Sequence, residues 1–405
     1  MSDGTASRSL LSRIGAPVNE AFPRLSWDLW STRRTLEQAR PGELAPALRN
    51  RWERHSGVPA GSGLAMPTIL LVVPMADHVE IPWEPAVGNY SFELYETARR
   101  CLGDDRVHVL RIQPGGTAEE WQGEVVAYLN DHRITHVLGR IDIEPNASGD
   151  WSWDVFVRRL RREWPGIFLP LTYDSAYPYL SMHLDRLTRL HSRTMPVVLD
   201  RPISPVIRPH RPSAGPLFLP LSDASMDVLN AAVADVDHDL DLTFIGNVNG
   251  YPYRAALLTA LEHAGLEVTV NPQREDGDSM PGFAAYARAL ARSRVTLNFT
   301  RCNGVPVTQL KTRLLEGSLF GTLVASDSPL YAEEYFVKGE EFISYSSPVD
   351  LRDQLTRLRE DPARLQVMRD AARAKAEQLR IWNFWTKVDE GLAARGLPRL
   401  ELLPS

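Results

Sequence analysis

An amide, a guanidinium and a carboxylate recur along one predicted helix, which spans residues 306–320. At about 100° per residue, Gln309, Arg313 and Glu316 lie on one line, and leucines flank that line on both sides. A polar line between leucines is not an ordinary solvated face. Because a buried charge without a partner is costly, these groups should either pair with one another, bracing the sheet, or face a cleft that binds a ligand.

A second motif joins a strand to a helix in the sequence FIGNVNGYPYR, residues 244–254. Glycines at 246 and 250 allow the backbone to approach a ligand closely, and the start of the next helix offers free N–H groups to an anion. Arg254, in the first turn of that helix, is placed to reach the same anion. The G-x-x-x-G spacing differs from the dinucleotide-binding fingerprint, and a plain surface role for Arg254 remains the alternative.

Candidate acid–base residues follow two predicted strands nearer the N-terminus. Asp77 and His78 lie in the loop after TILLVVP, and Asp174 follows IFLPLTY. Ligands of open parallel sheets collect beyond the carboxyl ends of the strands, so these loops are where chemistry is expected. For Asp77 and His78, a loop residue that only binds the backbone is the alternative.

These motifs belong to two series of strands alternating with helices. The first has strand signals at 68–74, 107–112, 134–138, 167–173 and 196–199, and the second begins at 242. Such alternation predicts an α/β chain with two Rossmann-like, doubly wound domains facing a cleft. The predicted boundaries are a helical N-terminal extension at 1–60, a first domain at 61–200, a proline-rich linker at 201–220, a second domain at 221–380 and a helix crossing back at 381–405.

Composition excludes several other classes of protein. The chain has 405 residues, 43% hydrophobic and 24% charged, with a net charge of −6, which argues against a general nucleic-acid binder. Two distant cysteines, Cys101 and Cys302, exclude a disulfide scaffold and a cysteine-type zinc site. No apolar run approaches the roughly 18 residues of a transmembrane helix, and the N-terminus lacks a signal-peptide core. We therefore expect a cytoplasmic protein.

Three segments, in order, resemble one enzyme family. DLDLTFIGNVNGYPYRAALLTAL, LNFTRCNGVPVTQLKTRLLEGSLFGTLVASD and EEYFVKGEEFISYSSPVDLRDQLTRLREDPARLQVMRDAARAKA are similar to the donor-domain signatures of the spore-maturation, CgeB-like group of glycosyltransferases. The resemblance covers about residues 215–385. It implies a GT-B enzyme that moves a sugar from a nucleotide-diphosphate-sugar donor, a co-substrate whose base is unidentified. The implied acceptor is a hydroxyl on a small molecule, a glycan or a protein.

The resemblance also implies roles for individual residues. Glu316 would accept the ribose hydroxyls, as the second Glu of the Glu-x7-Glu element does in related retaining enzymes. Arg313 and Arg254 would meet the diphosphate, with Lys311 as a less direct helper. The remaining donor-side candidates are Gly246, Asn247, Thr308 and Gln309.

The sequence departs from the related pattern at Thr308, which stands eight residues before Glu316 where those enzymes have the first Glu. The stereochemical outcome therefore stays open. An inverting enzyme would use Asp77, His78 or Asp174 as general base, whereas a retaining one would rely on the arginines to stabilise the departing diphosphate. The resemblance implies no essential metal and no bound cofactor.

Two other functions fit the same fold, a non-catalytic nucleotide- or sugar-binding protein and a nucleotide-sugar epimerase. A binding protein would keep Arg313 and Glu316 without a working acceptor site, and an epimerase would form product without an acceptor. The resemblance favours the transferase, because it extends beyond the fold to donor-site residues. The sequence gives no expectation for the oligomeric state.

Overall fold

A computed structural model describes residues 66–74, 83–86, 89–112, 117–143, 152–173, 178–199, 213–234, 236–248, 251–272, 282–301 and 308–404. The predicted N-terminal extension, most of the predicted linker, and the candidates Asp77, His78 and Asp174 lie outside these residues. Within them the chain forms two five-stranded parallel sheets. No described helix is long and apolar enough to cross a membrane.

The first sheet has the strand order β2-β1-β3-β4-β5. Its central strands β1, β3 and β4 are apolar and almost wholly buried, as expected for strands covered by helices on both faces. The strands are β1 (Ile69–Val73), β2 (Val107–Arg111), β3 (His136–Arg140), β4 (Ile167–Thr172) and β5 (Val197–Val198). The helices are α1 (Tyr90–Leu102), α2 (Ala118–Asp131), α3 (Ser152–Glu163) and α4 (Pro178–Leu190). Each strand lies within a few residues of its signal in the sequence.

The second sheet repeats the same topology, with the order β10-β9-β8-β6-β7. Its strands are β6 (Leu240–Phe244), β7 (Thr269–Val270), β8 (Ser293–Asn298), β9 (Leu323–Ser326) and β10 (Ile343–Ser344). In each sheet the chain moves first to one side of the starting strand and then to the other. The order therefore reverses between β1 and β3, and again between β6 and β8, and ligand crevices form at such reversals.

Helices of the second half agree with the sequence predictions in most cases. They are α5 (Asp223–Val233), α6 (Pro252–His263), α7 (Phe283–Arg292), α8 (Arg313–Leu319), α9 (Pro348–Glu360) and α10 (Pro362–Leu379). Sequence analysis missed α5, although Ser222 caps it and Met226 and Leu229 give it a buried face. An N-cap serine followed by apolar residues three apart was the signal available.

The helix predicted over residues 306–320 is wrong in its first half. Among the described residues it begins at Arg313 and ends at Leu319. Thr308 instead forms an isolated antiparallel bridge with Arg301, and the Gln309 amide donates to the carbonyl of Thr300 at 2.8 Å. Since that N–H binds an extended segment rather than a preceding helical turn, Gln309 does not share a helical line with Arg313 and Glu316.

The last helix, α11 (Trp382–Ala394), returns to the first sheet as predicted. Phe384, Trp385 and Val388 are buried in the core formed around β1 and α1. The Trp385 indole N–H donates to the Thr97 hydroxyl of α1 at 3.0 Å. Beyond α11, the carbonyl of Pro398 meets Nε2 of the buried His136 at 3.1 Å. The C-terminal segment is thus part of the first core.

Contacts of the 217–225 segment join the two halves. Leu217 and Leu219 pack in the first core, whereas Phe218, between them in sequence, packs in the second. The buried carboxylate of Glu93 on α1 accepts a hydrogen bond of 2.6 Å from the Ser222 amide and another from the Ser225 hydroxyl. Burial raises the pKa of Glu93, and these two donors oppose that rise.

Candidate active site

The loop that follows β6 lies at the reversal of the second sheet, and its backbone is held by an asparagine. The Gly246 amide donates to Oδ1 of Asn271 at 2.8 Å, and Nδ2 of Asn271 donates back to the Gly246 carbonyl at 2.9 Å. Asn271 follows β7 with φ of 48°, a conformation that asparagine tolerates better than most residues. A Cβ at Gly246 would lie 3.1 Å from the Phe244 ring. Glycine therefore lets this backbone lie close to its own strand.

Arg254 binds the same loop from α6. Its Nη1 donates to the Asn247 carbonyl at 2.7 Å, and its guanidinium lies 4.0 Å from the centre of the Tyr251 ring. The side chain is half-buried. Arg254 therefore lies against the loop that its position in the sequence predicted.

Arg313 binds the loop from the other side. Its Nη1 donates to the Ile245 carbonyl, and its guanidinium carbon is 5.5 Å from the centre of the Tyr286 ring. Its Nε is buried and has no hydrogen-bond partner within the described parts of the chain. The carbonyls on either side of Gly246 thus each accept a hydrogen bond from a different arginine, so two cations flank one glycine.

Glu316 lies one turn beyond Arg313 on α8. Its Oε2 accepts a hydrogen bond of 2.5 Å from the Tyr286 hydroxyl. Burial raises the pKa of Glu316, while the charge of Arg313 and the Tyr286 hydrogen bond act to lower it. Arg313 and Glu316 therefore have different hydrogen-bond partners, the loop carbonyl and the Tyr286 hydroxyl. The alternative in which Arg313 and Glu316 pair only with each other and brace the sheet does not fit these hydrogen-bond partners.

Gln309 of the predicted polar line and the separate candidates Thr308 and Lys311 lie just before α8. Gln309 is buried, and its Oε1 accepts a hydrogen bond from Nζ of the half-buried Lys311. Thr308 lies in the bridge to Arg301 described above. All three residues therefore lie on an irregular segment rather than on a helix.

A further polar cluster, missed by sequence analysis, lies at the carboxyl ends of β8 and β9. Oδ1 of Asp327 accepts hydrogen bonds from the Thr300 amide at 2.9 Å and from the Thr300 hydroxyl at 2.6 Å. Its Oδ2 accepts one from the Tyr253 hydroxyl of α6. The buried hydroxyl of Tyr345, beyond β10, has no hydrogen-bond partner in the described ranges. An acid directly after a buried strand was the signal for Asp327.

Comparison with known proteins supports this fold. The sequence profile of the family described as "Glycosyl transferase-like" matches residues 230–383. Sucrose-phosphate synthase from Thermosynechococcus elongatus has a similar structure, with a TM-score of 0.50 and 12% identity over 82% of this chain and 98% of that one. An alpha-glucosyltransferase, solved with UDP and a 13-mer DNA containing a central A:G mismatch, gives 0.51 and 12% over 82% and 100%.

Residues 230–383 are thus similar to the glycosyl transferase-like family, and the chain shares the GT-B fold of the two solved structures. No curated protein is similar enough in sequence to match it. The expected fold class is confirmed, because both sheets and the returning C-terminal helices are present. At this level of identity the two solved structures support the fold, and the roles of individual residues rest on the geometry.

The region matched by the family profile, residues 230–383, contains every donor-side candidate, from Gly246 to Glu316. It also contains Tyr286, which sequence analysis did not select. Tyr286 is the fourth residue of α7, on the helical face that carries the buried Ala287 and Leu290, and is itself buried. A tyrosine on an apolar helix face is typical of a core residue, so the sequence offered no signal that its hydroxyl binds Glu316.

At the carboxyl edge of the first sheet, two charged and two aromatic side chains meet. Nε of Arg140, the last residue of β3, lies 2.8 Å from Oδ1 of Asp142. The Arg140 guanidinium is 4.4 Å from the centre of the Tyr173 ring, and that ring meets Tyr90 of α1 edge to face at 5.1 Å. Asp174 is the next residue after Tyr173 and, like Asp77 and His78, lies outside the described residues. Position after a strand could have singled out Asp142.

Among the described residues, no three His, Cys, Asp or Glu side chains come together in a group suited to a metal ion. The cations that the structure places at the loop after β6 are the guanidinium groups of Arg254 and Arg313.

Proposed function

We propose that this protein is a glycosyltransferase that moves a hexose from a nucleoside-diphosphate sugar to an acceptor hydroxyl without an essential metal. The observation that carries the proposal is the loop of residues 245–247, at the reversal of the second sheet. Each of its backbone carbonyls is held by a side chain, Arg313, Asn271 or Arg254. Two of these side chains are cations, as a diphosphate requires.

In this proposal the loop and the two arginines bind the diphosphate. Arg254 and Arg313 would stabilise the negative charge that grows on the leaving diphosphate as the bond to the anomeric carbon breaks. Because both guanidiniums are already fixed to the loop, little reorganisation accompanies donor binding. Nζ of Lys311 donates a hydrogen bond to Gln309, and its positive charge would add to the electrostatic potential of the site from a greater distance.

Glu316 would bind the ribose of the donor. A carboxylate accepts hydrogen bonds from two adjacent hydroxyls, and Oε1 of Glu316 receives no hydrogen bond from the described residues while Oε2 is held by Tyr286. The nucleobase would lie near the ends of β7 and β8, around Asn271 and Thr300. Uracil is the first base to test, in the form of UDP, because the alpha-glucosyltransferase that shares the fold was solved with UDP.

The acceptor would bind over the carboxyl edge of the first sheet. As the acceptor oxygen forms its bond to the anomeric carbon, its proton passes either to a base or to the leaving diphosphate. Asp77, His78 and Asp174 are the proposed bases for an inverting reaction, since each follows a strand of this sheet. A retaining reaction would use the diphosphate oxygen instead.

The test is thermal stabilisation by UDP, GDP, TDP and ADP and by their sugar conjugates. A ligand at about 100 times its dissociation constant adds about 2.7 kcal/mol to the unfolding free energy. We expect one nucleotide to raise the melting temperature selectively in the wild type and not in Arg313→Ala. The control Arg292→Ala, which removes a partly exposed arginine paired with Asp239 on the same half of the chain, should keep the shift. No shift with any nucleotide would overturn the proposal.

The same protein separates the alternative functions once a nucleotide is identified. Sugar transfer to an added acceptor, or slow release of free sugar to water, supports the transferase. Binding without any turnover would support a binding protein, and conversion of the donor sugar without an acceptor would support an epimerase.

A further inference from the structure

Tyr286 contacts both charged groups that α8 brings to the site. Its hydroxyl lies 2.5 Å from Oε2 of Glu316, and its ring centre lies 5.5 Å from the guanidinium carbon of Arg313. It comes from a different helix, α7, whose buried residues share a core cluster with those of α8. One neutral side chain is therefore shared by the carboxylate proposed for the ribose and a cation proposed for the diphosphate.

Packing alone accounts for the ring of Tyr286 but not for its hydroxyl. The side chain is 5% exposed, within the core cluster that also contains Leu290 and Leu315. Phenylalanine would fill nearly the same volume, without a polar atom that has to be satisfied. The hydroxyl finds its partner in Glu316, and a neutral donor can orient a carboxylate without cancelling its charge.

The hydroxyl fixes which oxygen of Glu316 is left for a ligand. Oε2 is occupied by Tyr286, while Oε1 receives no hydrogen bond from any residue in the described ranges. Without the phenol, the carboxylate would be free to rotate about its last torsion angle or to move towards Arg313. Either change would draw the guanidinium away from the Ile245 carbonyl that it now binds.

We propose that Tyr286 is a positioning residue of the donor site: its hydroxyl orients Glu316 towards the ribose hydroxyls, and its ring holds the Arg313 guanidinium at the diphosphate loop. This inference rests on the proposed function, because it takes the ligand to be a nucleoside diphosphate. It adds a residue from α7 to a site otherwise built from α6, α8 and the loop after β6.

The charged and titratable groups around Glu316 make the pH dependence of nucleotide affinity a second measure of how Tyr286 acts on this carboxylate. Arg313 on α8 and Tyr286 on α7 face the carboxylate and both lower its pKa, against a larger rise caused by burial. The pKa of Tyr286 is itself raised well above its usual value by burial, with Tyr90 of α1 adding to the rise, so its hydroxyl stays protonated. From α10, Arg369 binds the Gly321 carbonyl just beyond the other end of α8. Asp327, beyond β9, is bound by Thr300 and Tyr253.

The experiment compares a nucleotide with its 2′-deoxy analogue in wild type and Tyr286→Phe. UDP and 2′-deoxy-UDP are used, or the corresponding pair for the base that the thermal panel selects. A site that hydrogen-bonds a ligand hydroxyl rejects the analogue that lacks it. We expect the wild type to bind the ribonucleotide more tightly than its 2′-deoxy analogue. Tyr286→Phe should bind the ribonucleotide about tenfold more weakly, and the ratio of the two affinities should fall towards one. The pH below which affinity is lost should also move upwards in the variant, because one stabilising donor of the carboxylate is gone.

Tyr335→Phe is the matched control. Tyr335 lies in the same core cluster, and its hydroxyl donates to the backbone carbonyl of Pro216. Its loss should leave both the affinity and the ribose preference unchanged. In a Glu316→Gln background, Tyr286→Phe should add little further loss, since the group that it positions has been altered.

The outcomes separate this inference from the function on which it rests. If the wild type binds no nucleotide, the proposed function fails. If the wild type binds and Tyr286→Phe keeps its affinity, ribose preference and pH profile, the positioning role is overturned and the function stands. If Tyr286→Phe does not fold, wild type and Glu316→Gln still decide: equal ribose preference in the two would show that Glu316 has no role for Tyr286 to support.

Discussion

The hydroxyl of Tyr286 donates to Glu316 at 2.5 Å, and this hydrogen bond joins α7 to α8 where both helices approach the loop after β6. The Tyr286 ring also lies against Arg313, which binds the Ile245 carbonyl. Charged groups held in place before a ligand arrives lose less freedom on binding, and they act more strongly on charge that develops there. The hydrogen bonds of Tyr286 and Arg313 therefore fix the charged groups of the candidate site relative to the loop after β6.

Replacing Asn271 by glycine should loosen the donor loop. Asn271→Gly keeps the backbone at φ of 48° without strain but removes both hydrogen bonds to Gly246. We expect nucleotide affinity to fall by about fivefold to thirtyfold, because one or both of two hydrogen bonds, each contributing about 1 kcal/mol, no longer hold the loop in its binding conformation. Isothermal titration calorimetry would measure it. Arg133→Gly, at an exposed residue with φ of 53°, is the matched control and should bind normally.

Two tyrosines near Asp327 should respond oppositely to loss of the hydroxyl. Tyr253→Phe removes a donor to Oδ2 of Asp327 and should lower the unfolding free energy by about 1–3 kcal/mol. Tyr345→Phe removes a buried hydroxyl without a partner in the described residues, so it should cost nothing or stabilise slightly. Denaturant unfolding of both variants checks the pair. An equal loss of stability in both would contradict the assignment of partners.

The buried His136 should make the fold less stable in mild acid. Burial lowers its pKa from 6.5 to about 4, so between these values the unfolded chain binds more protons than the folded one. The stability is therefore fully present above pH 6.5 and is lost as the pH falls towards 4, by up to about 3 kcal/mol. Unfolding free energies measured across this range should have a shallower slope in His136→Asn.

His263→Asn, which removes an exposed histidine from the last turn of α6, should keep the wild-type slope. His191 also has its pKa lowered to about 4 by burial, so some slope should remain in His136→Asn. A His136→Asn profile identical to that of the wild type would contradict the prediction.

The sequence predicted the sheets well because their signals are local. Apolar runs such as ILLVV are short, buried and bounded by turn residues, and their order with helices fixes the α/β class. The returning helix was predictable from its aromatic residues at the end of the chain. The fold of α8 was only half predictable, since the Gln309 amide binds Thr300, and such a tertiary contact has no signature in local periodicity.

Site residues could be predicted where a reactive side chain follows a strand in the sequence. They could not be predicted where their contacts depend on how helices and loops pack. Gly246, Arg254 and Glu316 were selected by residue type and position. Asn271 and Tyr286 were not assigned their contacts, because an asparagine at a strand end and a tyrosine on an apolar helix face are ordinary in any fold. Their roles appear only once two helices and two loops have been brought together by the sheet.

The central claim is that Glu316 binds the donor nucleotide, and calorimetric titration of Glu316→Ala tests it most directly. The nucleotide selected by the thermal panel is titrated into wild type, Glu316→Ala and the control Glu360→Ala, which removes an exposed carboxylate at the end of α9. We predict a loss of about 1–3 kcal/mol of binding free energy in Glu316→Ala alone, the range for removing one partner of a buried hydrogen-bonded group. Wild-type affinity in Glu316→Ala would contradict the account and remove Glu316 from the site.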